Sequence, residues 1–277
     1  MKITILVDNN TLIDTYLIGE PGVCYLIEQE GKSILFDTGY SDAFILNALS
    51  MGIDLRKLDY IVFSHGHNDH TWGLMHLIQY YNKINFLPEK EIQIIAHPEA
   101  WFKKCENKNV IGSLLTPDSL PPFFNVINTT EPFCLGDELF FLGEIPRLNP
   151  FEAQETIGEC RGVDGKYVSD SVRDDSALAY NGKEGLVIIT GCSHSGVCNI
   201  IDYGMTFFKQ EKIQSVIGGF HLLNAEREQL DFTAQFFSSL NARVIYPCHC
   251  TDLAAKIALS KTANVAEVGT GSVFDFY

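Results

Sequence analysis

The sequence predicts a mixed α/β fold, and three observations carry that prediction. Short apolar runs bounded by glycine or turn residues alternate with stretches whose apolar residues recur at helical spacing. The alternation is most regular after Gly185, where strand-like runs and amphipathic segments follow one another to Leu259. Finally, each strand-like run of that C-terminal third is followed within a few residues by a histidine, His194, His221 or His249. The carboxyl ends of strands in α/β sheets are where sites assemble.

Taken in order, Lys2 to Val7 reads as a strand, and Val23 to Glu28 with Ser33 to Asp37 reads as a hairpin turning at Glu30-Gly31. Ser41 to Met51 reads as a helix: Phe44, Ile45, Ala48 and Leu49 share a face, Ser41 or Asp42 can cap its start and Gly52 can close its end. Tyr60 to Phe63 is an apolar strand, Trp72 to Tyr81 a helix with Leu74, Leu77 and Ile78 on one side, and Ile92 to Ala96 a short strand ending at His97. From Asn107 to Pro132 the text is loop-like, with Pro117, Pro121 and Pro122; Glu138 to Phe141 is strand-like, and Pro146 to Ser176 is a second long loop. Such loops in a compact domain are usually functional or mobile. Strands follow at Gly185 to Thr190, Ser215 to Ile217 and Val244 to Tyr246, with helices at Asn199 to Lys209, Glu226 to Leu240 and Asp252 to Leu259. No repeat, low-complexity tract or linker interrupts this order, so one domain over 1–277 is expected, with substrate-loop insertions near 107–132 and 146–176.

The densest chemistry lies where the strand Tyr60 to Phe63 runs out: Ser64-His65-Gly66-His67-Asn68-Asp69-His70. Histidines and a carboxylate packed this closely make a poor surface loop and an impossible core, and they are the side chains that bind transition metals. His65 and His67, two apart in extended chain, point the same way and can grip one ion, while Asp69 and His70 can reach a second. Two adjacent metals form a hydrolytic centre of known type.

This H-x-H-x-D-H motif resembles the signature of the metallo-β-lactamase superfamily, and the resemblance covers nearly the whole chain. Ile34-Leu35-Phe36-Asp37-Thr38-Gly39 looks like the family's strand-end Asp element, which supports the metal loop without binding metal. Gly191-Cys192-Ser193-His194-Ser195-Gly196, Gly218-Gly219-Phe220-His221-Leu222 and Pro247-Cys248-His249-Cys250-Thr251 resemble a narrower subgroup, named after an archaeal dihydropterin ribofuranosyl-aminobenzene phosphate synthase. The resemblance implies an αββα four-layer sandwich of two mixed sheets flanked by helices. It also implies two divalent ions, with zinc expected and iron or manganese as alternatives. His65 and His67 would hold the first ion with His194, and Asp69 and His70 the second with His249. Where most of the superfamily has a bridging carboxylate this chain has Cys192, whose thiolate can ligate zinc or iron. The family's usual third histidine precedes that strand, and no histidine lies between His97 and His194, so His194 is expected to take its place. His221 is expected to orient substrate or act as an acid, and Asp69 to carry a proton while ligating. Arg147 stands in Glu144-Ile145-Pro146-Arg147, a segment that resembles the subgroup, and is the expected grip for an anionic substrate ahead of Arg161, Lys166 and Arg173.

Composition narrows the partners. With 20 Lys+Arg against 35 Asp+Glu the formal charge is −15, so a phosphate-neutralising surface for nucleic acid is not expected; the expected partner is a small anionic molecule. No apolar run reaches the length of a membrane span. Met1-Lys2-Ile3-Thr4 runs straight into a strand with no leader pattern, which predicts a cytoplasmic protein whose eight cysteines stay reduced. The leading functional expectation is a dinuclear metal-dependent hydrolase of a small phosphorylated or ester-like substrate. A synthase-like transferase releasing diphosphate and a non-catalytic metal sensor are the alternatives. A serine hydrolase is a further class, because Gly191-Cys192-Ser193-His194-Ser195 imitates a nucleophile elbow; it would leave the His65 cluster unexplained.

Overall fold

The structure is a computed structural model that describes residues 1–162 and 165–277. In chain order its strands are β1 (Lys2–Val7), β2 (Cys24–Gln29), β3 (Lys32–Phe36), β4 (Tyr60–Val62), β5 (Ile92–Ala96), β6 (Lys104–Glu106), β7 (Asn109–Val110), β8 (Phe124–Asn128) and β9 (Phe133–Gly136). They continue as β10 (Leu139–Phe141), β11 (Glu159–Arg161), β12 (Tyr167–Ser169), β13 (Ala177–Gly182), β14 (Gly185–Thr190), β15 (Ile213–Gly219), β16 (Val244–Cys248) and β17 (Val273–Asp275). The helices are α1 (Ala43–Ser50), α2 (Asn68–Thr71), α3 (Gly73–Lys83), α4 (Val197–Phe208), α5 (Arg227–Leu240) and α6 (Leu253–Leu259). The chain divides into two compact units.

The first unit comprises Met1–Thr130, Thr156–Asp174 and Gly269–Phe276. Its seven-stranded sheet runs β17-β1-β2-β3-β4-β5-β8 and is mixed, antiparallel through β3 and parallel from β3 to β8. Glu30 and Gly31, both with positive φ, make the predicted hairpin turn between β2 and β3. The helices form as their spacing requires: Phe44, Ile45 and Ala48 of α1 and Leu74, Leu77 and Tyr81 of α3 are buried in one cluster with Leu35, Ile61 and Ile94 of the sheet. The parallel register sets Phe36 level with Val62, so Asp37 and Ser64 emerge at the same sheet edge. Loop-like sequence conceals real strands here. Phe124–Asn128 pairs along its whole length with β5, and β6, β7, β11 and β12 form a separate four-stranded antiparallel sheet. The expected loops 107–132 and 146–176 are therefore partly sheet; within the second, residues 163 and 164 lie outside those described.

The second unit comprises Glu131–Glu155, Asp175–Val268 and Tyr277. Its six-stranded sheet runs β16-β15-β14-β13-β10-β9, with β14, β15 and β16 parallel and the rest antiparallel. Helix α4 packs Val197, Ile200 and Ile201 against Ile188 and Val216 of the sheet. The register sets Ile189 level with Ile217, and Gly219 level with Cys248. The turns that follow β14, β15 and β16 consequently leave from one edge, and they carry Cys192 with His194, His221, and His249. Among the described residues no helix is long and apolar enough to cross a membrane.

Candidate metal centre

In the first unit the loop after β4 is built around Asp37. This wholly buried carboxylate accepts from the Ser64 backbone N–H at 2.7 Å, from Ser64 Oγ at 2.7 Å and from His70 Nδ1 at 2.7 Å. The last contact fixes His70 as the tautomer protonated on Nδ1 and turns its Nε2 lone pair to the side where Asp69 Oδ2 stands, 3.6 Å away. Because the Ser64 hydroxyl hydrogen goes to Asp37, Ser64 Oγ accepts from His65 Nδ1 at 2.9 Å, which leaves His65 Nε2 as a lone-pair donor. That nitrogen meets His67 Nδ1 at 2.9 Å. Two imidazole nitrogens converging in a buried loop are the donor chemistry of a cation site, so the residues fit a metal. Burial first, and then the Lys104 ammonium, push the His67 imidazole down to about 4, which keeps it neutral and able to ligate.

The second unit carries donors of its own at its strand ends. His249 Nε2 lies 3.2 Å from Cys192 Sγ, again a pairing of metal-type donors. The rings of His194 and His221 pack with centroids 4.4 Å apart, and Cys250 Sγ accepts from the His221 N–H at 3.3 Å. Burial works against a charge on His221, but the side-chain hydrogen bond to Cys250 together with the charges of Cys250, Asp175 and Glu155 raises the imidazole above its ordinary value. Ser193, His221 and His249 all have positive φ, as Asp37 does in the first unit. A non-glycine residue in that region costs on the order of 1–3 kcal/mol and collects at functional sites.

Several site residues left little trace in the sequence reading. Asp175, wholly buried, accepts from the Ser195 N–H at 2.9 Å and from Ser195 Oγ, holding the loop that carries His194. Burial pushes its carboxyl up to about 6, opposed by the hydrogen bonds from Ser195 and His194 and, least, by the Arg147 guanidinium. Asp174, its neighbour, accepts from the Gly66 N–H at 2.7 Å and from Lys104 Nζ at 2.6 Å. Burial alone would raise Asp174; the Lys104 ammonium outweighs it and holds the carboxyl below its usual range. The one available signal was two consecutive acids just before an apolar run; nothing local marks Lys104.

Glu152 is buried and accepts from the backbone N–H groups of Cys198 and Asn199, so a carboxylate of this chain already fills the start of α4. Asn199 Oδ1 accepts from the N–H groups of Leu148 and Asn149, pinning the backbone just after Arg147 to the same helix. Arg161, Lys166 and Arg173 are exposed; Arg161 donates to the Gly165 carbonyl and Arg173 lies 3.7 Å from Glu99. His97 is a cap: its Nδ1 accepts from the Glu99 N–H at the start of a short 3-10 turn. Ser193 Oγ donates to the Gly219 carbonyl at 2.6 Å, so the elbow-like sequence builds a loop anchor and not a serine nucleophile poised against a base.

Comparison with known proteins accounts for this construction. A family model described as "Metallo-beta-lactamase superfamily" matches residues 17–203. The chain belongs to the metallo-β-lactamase superfamily. Its mixed α/β fold is the metallo-β-lactamase fold: the crystal structure of Tm1679, titled a metal-dependent hydrolase of the β-lactamase superfamily, superposes with a TM-score of 0.83 at 27% identity, covering 99% of this chain and 98% of that one. Among curated proteins, an uncharacterized protein of Methanocaldococcus jannaschii is 33% identical over 272 residues, 98% of each chain. The 7,8-dihydropterin-6-methyl-4-(β-D-ribofuranosyl)-aminobenzene-5'-phosphate synthase of the same organism is 32% identical over 270 residues, 92% of this chain and 89% of that protein. In this superfamily member, side chains of metal-ligand type stand at strand ends of each unit: His65, His67, Asp69 and His70 in the first, and Cys192, His194 and His249 in the second.

Proposed function

We propose that this superfamily member is a dinuclear metal-dependent hydrolase of a small phosphorylated or ester-like substrate. The observation that carries the reading is the convergence of His65 Nε2 and His67 Nδ1, beside a His70 whose tautomer Asp37 sets. The proposed ligands are those expected from the sequence: His65 and His67 with His194 for the first ion, Asp69 and His70 with His249 for the second, and Cys192 as a thiolate donor. Mixed imidazole, carboxylate and thiolate donors suit zinc first, and iron or manganese after it. A pair of such ions supplies Lewis acidity and offsets the charge that develops on attacking and leaving oxygens.

The chain's own residues do the rest. Asp37 and Ser64 hold the imidazoles in ligating tautomers, and Asp69 takes and returns a proton at its carboxylate. His221 orients the substrate or donates a proton to it, and Arg147 binds an anionic group through its planar fork. Turnover of a phosphodiester, phosphomonoester and lactone panel by the metal-loaded protein tests the reading. Metal-dependent hydrolysis supports it; release of diphosphate only when an arylamine acceptor is present favours the second reading, a transferase. Similarity to the synthase favours that second reading about as well. Tight metal binding with neither reaction would mark a sensor.

Two results are expected in the same assays. His67→Ala removes metal from the first site, read by elemental analysis as the loss of about one ion per chain, with little change in circular dichroism, because a metal held on preformed strand ends is not the core. Loss of all tertiary structure would instead make the ion structural. Arg147→Ala leaves metal content unchanged and weakens inorganic diphosphate binding by roughly tenfold or more, the equivalent of about 1.5–3 kcal/mol for a charge-assisted contact. Equal affinities would return Arg147 to a purely structural role.

A further inference from the structure

The metal loop is held from outside by a buried charge cluster. Lys104 Nζ lies 2.6 Å from Asp174 and 3.0 Å from Asp170, and all three side chains are almost fully buried, at 1%, 0% and 3% exposure. Asp174 divides its two oxygens: Oδ1 faces the ammonium and Oδ2 accepts from the N–H of Gly66, the residue between His65 and His67. The backbone of the same region grips the loop further along. The Lys104 carbonyl accepts from Ile111 and Gly112; the Ile111 carbonyl accepts from Asn68 N–H at 2.8 Å, and the Gly112 carbonyl from Trp72 Nε1 at 2.9 Å.

Burying ions is a poor route to stability, since apolar side chains of similar volume commonly do as well or better. Three buried charges that hold two backbone amides, Gly66 N–H on Asp174 and Val172 N–H on Asp170, therefore call for a role beyond packing. We infer that Asp174 is a positioning residue that sets metal affinity: an oxygen of its side chain fixes Gly66 N–H in the turn between His65 and His67, while the Lys104 ammonium neutralises the buried carboxylate. Without that acceptor the turn can rotate, and the two imidazole nitrogens lose their convergence. The inference rests on the metal reading above, and it assigns function to residues 70 positions apart in sequence.

Two charge-free variants of the full-length protein separate positioning from packing. The first combines Lys104→Met, Asp170→Asn and Asp174→Asn, and keeps an amide oxygen for Gly66. The second combines Lys104→Met, Asp170→Asn and Asp174→Leu, and keeps none. Zinc affinity is measured by competition with a chromophoric chelator, and ligand geometry by the d–d absorption of cobalt(II). The first variant is expected to bind zinc within a few-fold of the parent. The second is expected to bind about 10–100-fold more weakly, the usual consequence of losing an outer partner of a ligand, with a shifted cobalt spectrum at a Tm close to that of the first. Equal affinities and spectra for the two would overturn the inference and leave the cluster a packing device. Should the leucine variant not fold, Asp174→Glu carries the test, since it keeps the charge opposite Lys104 but displaces the oxygen facing Gly66. A cobalt spectrum and zinc affinity unchanged from the parent would then overturn it. A parent protein that binds neither zinc nor cobalt brings down the metal reading itself, and this inference with it.

Discussion

Replacing Gly66 by alanine is expected to cost the protein the metal proposed for His65 and His67 and a large part of its stability. A Cβ built on Gly66 stands 2.2 Å from the carbonyl oxygen of Ala100 and 2.8 Å from its carbonyl carbon and Cα. These are backbone atoms of the short turn that His97 caps, so no side chain can swing aside. The turn and the loop must separate instead. That movement breaks the Gly66 N–H contact to Asp174 and draws His65 and His67 apart. Overpacking a tight interior costs about 1–3 kcal/mol, and more where backbone must move, so a fall in Tm of several degrees is expected together with loss of the ion proposed for His65 and His67. The measurement is thermal unfolding and elemental analysis on the same preparation. A variant that keeps the parent's Tm and metal content would show that the loop has slack and that its close seating on Ala100 does not govern ligation.

Asp37→Ala is expected to be comparably severe by another route. The substitution removes one acceptor shared by three buried donors, the Ser64 N–H, the Ser64 hydroxyl and the Nδ1 of His70. Each buried polar group left unsatisfied costs about 1–3 kcal/mol. The effect on the site is separate: without a carboxylate to hold its Nδ1 hydrogen, His70 is no longer tied to one tautomer or ring orientation, and metal affinity is expected to fall by about 10–100-fold. Asp37→Asn keeps one oxygen for Ser64 and should lose less in stability than in affinity. Chelator competition with zinc and urea unfolding of both variants read the two effects apart. An alanine variant with the parent's zinc affinity would mean that His70 takes no part in ligation.

The candidate site residues were marked in the sequence. The H-x-H-x-D-H run groups candidate ligands by spacing alone, since residues two apart in extended chain share a side. The helices near 43–50 and 73–83, and the strand ends at His194, His221 and His249, follow from periods of 3.6 and 2 that any short window reveals. The mixed α/β class, and with it the superfamily, therefore did not need coordinates.

What tertiary structure decided were the features that depend on pairing across long stretches of chain. Phe124–Asn128 lies behind Pro121 and Pro122 and carries two asparagines, so its local pattern is that of a loop; it is a strand because β5 offers it an edge along its whole length. His97 follows a strand as a ligand would, yet its Nδ1 accepts a backbone N–H of the next turn. Lys104 and Asp174 have no periodicity that joins them, and only the folded chain brings an ammonium and a carboxylate to 2.6 Å behind the metal loop. Candidate donors are written in short-range spacing because neighbouring residues must point together. The partners that hold those side chains come from distant segments, where burial and hydrogen bonding, not sequence distance, select them.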